Sequence, residues 1–291
     1  MTRGGEMGTT PLMTTTLRPT GPLQQTDDGM RSRGYDVCDN SRPTGVIELG
    51  MDGAFGTPAG VLRQLRIDEA DRRRGRGTIA ALAAEEVLRG WGCGQVTASV
   101  PADADGVVPL LETLGYTERS RNMLKSLAQD PPALPPGLVG RPVDESEYEV
   151  WQAHALDGFR QSWLDRGLPP AQAQAKAEAS RLQNLPDGLS TPGTWIEALV
   201  HDGEVVGHVW VGGRELSPGV SVAFVYDVEV AEEHRGKGYG RALMLHAETI
   251  AHRTGTGALG LHVFAGNTPA IGLYESLGYA TTHRNLFKTL L

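Results

Sequence analysis

A glycine-rich turn occurs twice in this chain, and the duplication limits its possible folds more than any other feature. Arg72-x-x-Gly75-x-Gly77 returns as Arg235-x-x-Gly238-x-Gly240, 163 positions on (235 − 72). Leu114-Gly115-Tyr116 returns as Leu277-Gly278-Tyr279 at the same offset (277 − 114). Two separate motifs sharing one offset mark an internal duplication. Between the copies, Ala128–Gly137 carries four prolines in ten residues. That density blocks helix and central strand and reads as a semi-rigid linker. The division is then 14–127, a linker at 128–137, and 138–291, each half long enough to bury a core.

The copies are unequal. Arg18-Pro19 aligns with Arg141-Pro142 at an offset of 123 (141 − 18), so the first copy is about 40 residues shorter (163 − 123) ahead of its turn. In the second copy this extra length reads as two helices. One runs from Glu145 to Arg166, with Tyr148, Trp151, Ala155, Phe159 and Trp163 near helical spacing. The other, 171–185, is rich in the good helix formers Ala, Gln, Lys and Glu. Apolar runs at 195–200 and 205–211 flank Asp202-Gly203, a hairpin signal. A long strand follows over 220–230, then a helix over 241–252, a buried strand over 259–264, a helix over 268–277 and a last strand over 284–290. The first copy has no counterpart of the two early helices.

A strand that runs through a glycine-rich turn into a helix can cradle phosphate. Glycines let backbone N–H groups approach the oxygens, and the helix N-terminus adds positive potential. Arg235 and Lys237 place cations beside it. Tight strand-to-helix connections share this glycine pattern, so the turn alone does not settle a ligand. Gly75-x-Gly77-x-x-Ala80 also fits a dinucleotide fingerprint. That motif requires its strand to end at the first glycine, whereas here the charged stretch 68–74 intervenes.

The blocks in the second half, taken together, are more specific. Arg-x-x-Gly-x-Gly after Val228-Glu229-Val230, and Leu261–Asn267 followed by Leu273-Tyr274-Glu275-Ser276-Leu277-Gly278-Tyr279, occur in an order that resembles the GNAT acetyltransferases. The resemblance covers roughly 138–291. It implies an α/β fold of two tandem GNAT-like domains, each a mixed, mostly antiparallel sheet flanked by helices. It also implies acetyl-CoA as cosubstrate. Val228 and Val230 would pair through their backbone with the pantetheine arm. Arg235, Gly236, Lys237, Gly238, Tyr239 and Gly240 would hold the pyrophosphate, and Asn267 would fix the arm further along. Tyr274 would act as general acid. For the base, Asp227 comes first and Glu229 second; a water chain could replace either. The two lie two positions apart on one strand face, a parity that a bulge would break. The acceptor would be an amine of a small molecule or peptide. A tandem with one retired copy is also similar to the mycothiol synthases, and an acyl-CoA-sensing module is the non-enzymatic alternative.

In the first copy Leu111 stands at the place of Tyr274 and Ala104 at that of Asn267. A leucine donates no proton, so this copy reads as catalytically retired. Its loop either still binds CoA or survives as a fold element; the second reading is favoured. Trp151, Phe159 and Trp163 would pack the core or line an acceptor pocket, with core packing favoured. A net charge of −8 and a pI near 5.5 argue against a nucleic-acid partner. His208, His234, His246 and His262 are scattered singly, so no metal site is expected. No stretch reaches membrane-span length, and the opening dozen residues lack an apolar leader run. Cys38 and Cys93 read as ordinary small residues of a reducing compartment. The expected location is the cytoplasm, and an oligomer remains open.

Overall fold

The computed structural model describes residues 15–53, 58–165 and 168–290. The opening dozen residues and Arg166 lie outside them.

The chain forms two compact units. One holds Met1–Val100, Ala104–Glu118 and Leu286–Leu291; the other holds Pro101–Asp103 and Arg119–Asn285. Contiguous spans of 14–127 and 138–291 describe the sequence repeat, while the second unit also holds 119–127 of the first repeat and the first unit holds Leu286–Leu291 of the second.

In the first unit the strands are β1 (Thr15–Pro19), β2 (Gln24–Gln25), β3 (Arg31–Asp39), β4 (Arg42–Asp52), β5 (Ala59–Ile67) and β6 (Gln95–Pro101). Their order is β1-β3-β4-β5-β6, with β2 on β3, and only β5–β6 is parallel. Beyond β6 comes the end of the chain's last strand, where Leu290 N–H donates to Gly94 O at 2.9 Å. Helices α1 (Arg76–Gly90) and α2 (Val107–Thr113) complete the unit. α1 seats Ala80, Ala84 and Leu88 in a core with Val37, Leu49, Val96, Leu111 and Leu286. Gly60 permits that approach, since a Cβ there would fall 2.7 Å from Leu88 Cδ1.

The second unit contains β7 (Thr117–Ser126), of which 119–126 belong to it, then β8 (Leu138–Pro142), α3 (Glu145–Leu164), α4 (Pro170–Asn184), β9 (Thr194–His201), β10 (Glu204–Ser217), β11 (Val220–Val230), α5 (Tyr239–Arg253), β12 (Ala258–Phe264), α6 (Thr268–Ser276) and the first part of β13 (Ala280–Thr289). The order is β13-β7-β12-β11-β10-β9-β8, with β11–β12 parallel and β7–β12 antiparallel. The last strand starts at Ala280 rather than Arg284, because Thr282 already accepts from Ala102 N–H and bonds Asn122 O through its hydroxyl. α3 begins where its sequence calls for it. Asp144 caps Glu147 N–H, the Glu147 carboxylate returns to Asp144 N–H, and Arg141 grips that carboxylate with two 2.6 Å bonds. Leu243, Ala247 and Ile250 of α5 fill one core with Val209, Ala223, Leu259 and Met123. A smaller core under α3 holds Tyr148, Trp151, Leu185, Ile196 and Ala198. Residues 128–137 carry no regular structure, and Leu134 packs on the α5 core.

Candidate functional site

β11 and β12 run side by side only briefly. Their register covers Ala223↔Leu259, Phe224↔Gly260 and Val225↔Leu261 and then ends, although β11 continues to Val230 and β12 to Phe264. β11 stays paired with β10 through to Gly207↔Val230. The stretch from Tyr226 to Val230 thus keeps one backbone edge out of pairing with β12, and an unpaired edge recruits another extended chain. Val228 and Val230 lie in this stretch and pack their side chains on the α5 core.

A bulge separates the closed and open halves of β11. Trp210 pairs with Asp227 and Val211 with Val225, leaving Tyr226 as the extra residue. Because the bulge precedes both carboxylates, Asp227 and Glu229 keep a common face, opposite Trp210 and His208. Tyr226 stacks on Trp210 at 4.8 Å and donates its hydroxyl to Gly213 O at 3.1 Å.

That shared face meets α3. Asp227 is half-buried, and its carboxyl is held above the usual carboxylate range, first by burial and then by the charge of Glu229. The indole of Trp151 and the imidazole of His154 oppose the rise. Glu229 Oε1 lies 3.1 Å from His154 Nε2 and 3.7 Å from an Arg235 guanidinium nitrogen. His208, opposite Glu229 on β10, has its imidazole pushed toward the neutral form by burial. Tyr274 of α6 is buried at 7% exposure, with its hydroxyl pushed up to about 12, first by burial and then by the charge of Asp227. The structure therefore brings Asp227, Glu229 and Tyr274 into one electrostatic neighbourhood. His154, which the sequence reading passed over, belongs to it. The available signal was its position three residues after Trp151, on the same helix face.

At the end of β11 the chain makes a short 3₁₀ turn (Glu232–His234) and enters the glycine loop. Arg235 Nε donates back to Val230 O at 3.2 Å, Gly236 and Gly238 take φ of 77° and 87°, and α5 starts at Tyr239. Left-handed φ at two positions explains the two glycines. Gly240 lies close under Leu273, where a Cβ would come within 3.4 Å. Lys237 is exposed; Tyr239 is half-buried and shares a 2.7 Å hydrogen bond with His201. Arg241 and Ala242 N–H already donate to Gly238 O, so the N–H groups of Tyr239 and Gly240 open α5 ahead of its hydrogen-bond ladder, which makes the loop fit for an anion. Asn267 is exposed and caps α6 by accepting from Ala270 N–H at 3.3 Å, so its side-chain oxygen is already engaged.

A cleft of about 290 Å³ opens beside the bulge, lined by Gln183, Asn184, Thr191, Thr194, Gly213 and Tyr226 among others. None of the three early aromatics lines it. Trp151 packs edge-on to Trp210 at 5.8 Å within the α3 core, and Phe159 is 40% exposed beside Trp163. Among the described residues no His, Cys, Asp and Glu cluster suits a metal ion, and Cys38 and Cys93 are free and buried. No helix among them is long and apolar enough to cross a membrane.

Residues 12–116 and 151–279 each match the family described as Acetyltransferase (GNAT) family. An uncharacterised N-acetyltransferase of Bacillus subtilis, YdgE, is 29% identical over 150 residues, which is 51% of this chain and 95% of that protein. A mycothiol acetyltransferase of Saccharomonospora viridis is 28% identical over 296 aligned positions, covering 93% of this chain and 87% of its own. Among solved structures, an N-acetyltransferase from Sphaerobacter thermophilus superposes with a TM-score of 0.56 at 20% identity, covering 88% of this chain and 80% of that one. That likeness concerns the fold.

Proposed function

The chain belongs to the GNAT acetyltransferase family, and from that premise we propose that its second unit transfers acetyl from acetyl-CoA to a primary amine. The observation that carries the proposal is the parting of β11 from β12 after Val225, beside Asp227, Glu229 and Tyr274 and just before the glycine loop. The residues fit the cosubstrate: the open edge at Val228 and Val230 suits an amide-bearing arm, and the left-handed glycines with the α5 N-terminus suit its pyrophosphate. Arg235 and Lys237 add charge, and Asn267 offers the arm its amide nitrogen. Bound acetyl-CoA supplies an activated acetyl group as a thioester.

The protein's own part is proton handling and placement. Asp227, made more basic by burial, takes a proton from the amine directly or through water, with Glu229 as the alternative acceptor. Tyr274 stays protonated at neutral pH and presents its hydroxyl to the departing sulfur. The cleft beside Tyr226 receives the acceptor, an amine of a small molecule or a peptide. The near end-to-end match to a mycothiol acetyltransferase favours a small-molecule amine as the second, narrower reading. A net charge of −8 gives no support to a nucleic-acid partner. The proposed compartment is the cytoplasm.

The first unit keeps the binding geometry without this chemistry. Gln64, Arg66, Leu111 and Ala104 stand 163 positions before Asp227, Glu229, Tyr274 and Asn267. We read it as a retired copy. Calorimetric titration with acetyl-CoA tests the whole proposal: at least one site is expected, and no binding would sink it. Thiol release over a panel of amines then identifies the acceptor.

A further inference from the structure

The carboxylate of Glu229 is shared between two nitrogen-bearing side chains on different elements. His154 Nε2 on α3 lies 3.1 Å from each of its oxygens, and Arg235 of the glycine loop approaches Oε1 to 3.7 Å. Arg235 is 58% exposed and held otherwise by one bond to Val230 O, so its guanidinium can swing toward a phosphate. We infer that Glu229 competes with the cofactor pyrophosphate for Arg235, and that His154 is a positioning residue which weakens this competition by drawing Glu229 toward the acceptor-side helix. The inference rests on the acetyl-CoA reading of the loop.

The first copy supplies an internal control. Arg72 Nε donates to Ile67 O at 2.9 Å, the same tether at the same offset. The position of Glu229 is there taken by Arg66, which pairs with Asp68, and among the described residues no helix corresponds to α3. The tether to the carbonyl belongs to the loop fold, whereas the shared carboxylate occurs only in the second copy. Asp227 and His208 are the other charged or titratable groups beside Glu229, and Glu147, clamped by Arg141, lies beyond His208.

The decisive experiment is a double-mutant cycle on the full chain, read by calorimetric Kd for acetyl-CoA. Glu229→Gln is expected to tighten binding about two- to fivefold, the range open to an exposed ion pair. His154→Ala is expected to loosen it by a similar factor, with His154→Gln, which keeps a neutral donor, restoring most of the loss. In the Glu229→Gln background His154→Ala should change nothing. Glu233→Gln, a nearby exposed carboxylate with no such contact, measures the general effect of removing a charge. The inference is overturned if Glu229→Gln tightens no more than Glu233→Gln, or if His154→Ala acts equally in both backgrounds. Either result with wild-type binding intact leaves the acetyl-CoA reading standing. A wild-type chain that binds no acetyl-CoA overturns both.

Discussion

Arg72–Gly77 and Arg235–Gly240 follow one backbone path over different foundations. Each leading arginine returns to a strand carbonyl, each loop turns through left-handed residues, and each ends in a 15-residue helix. Both preceding strands bulge just after their last pair with a parallel neighbour, at Arg63 and at Tyr226. Beneath the first loop lies an ionic network: buried Arg76 pairs with Asp39 and Asp71, and Arg42 closes on Asp71. At the matching places in the second unit stand Tyr239, His201, His234 and Glu204, joined by the 2.7 Å His201–Tyr239 bond and a loose 3.7 Å pair of His234 with Glu204. One backbone path thus stands on two different underpinnings, and the residues proposed for chemistry occur in only one copy. A glycine turn of this path is thus weak evidence of catalysis, and the residues around it decide.

A second comparison concerns the exchanged strands. In the second unit Lys125 of β7 reaches Glu248 of α5 at 2.6 Å and sits over the Tyr279 ring at 5.7 Å. In the first, Lys288 of β13 reaches Glu85 of α1 at 2.6 Å and sits over Tyr116 at 5.7 Å. Both glutamates are almost fully buried, so removing either lysine strands a charge. The largest expected effect is therefore on stability. Lys125→Met and Lys288→Met should each cost about 3–5 kcal/mol in denaturant unfolding of the full chain. If one of them is silent, the two locks are not equivalent and the strand exchange is not held symmetrically.

Next in size is the test of which copy works. Tyr274→Phe should lower turnover about a hundredfold or more, as loss of a general acid does, while sparing acetyl-CoA affinity. Unchanged turnover would remove Tyr274 from the mechanism and erase the main distinction drawn from Leu111.

Asp227 sharpens the same contrast through pH. Its folded-state pKa is raised, so its ionisation costs stability once the pH exceeds that of an ordinary carboxylate. Asp227→Asn should therefore gain stability relative to wild type, with a larger gain at pH 8 than at pH 4, and should lower turnover. A variant that is less stable at pH 8 would show the carboxylate to be structural.

Much of this architecture could be read from local pattern. The helices expected over 145–166 and 171–185 appear as Glu145–Leu164 and Pro170–Asn184, since capping, propensity and periodicity agree there. That the first copy shows no early helices among its described residues follows from length alone. Strand exchange was not legible, because the alternation within β7 or β13 says which face is buried but not which sheet the strand joins. The one clue was that Lys125 and Lys288, and Glu85 and Glu248, repeat at the offset of the glycine turns. His154 escaped notice because its partner Glu229 is 75 residues away. The bulge was anticipated in this strand, but its place at Tyr226, which preserves the shared face of Asp227 and Glu229, depends on packing against Trp210.

The smallest predicted effect returns to the two loops. Arg73 occupies the place of Gly236 and adopts φ 58° where the glycine has 77°. A non-glycine residue there is strained by roughly 1–2 kcal/mol, partly offset by the lower freedom of arginine in the unfolded chain. Arg73→Gly should thus stabilise the first unit by about 0.5–1 kcal/mol. The reciprocal change, Gly236→Ala, should destabilise the second by about 1 kcal/mol. A Cβ at Gly236 meets no atom within 4 Å, so the cost there comes from φ alone. Opposite signs of similar size in denaturant unfolding would establish that the loops share one strained path. If Arg73→Gly instead destabilises, the arginine side chain holds the first loop by contacts that outweigh its strain, and the path of that loop is maintained by side chains rather than by backbone alone.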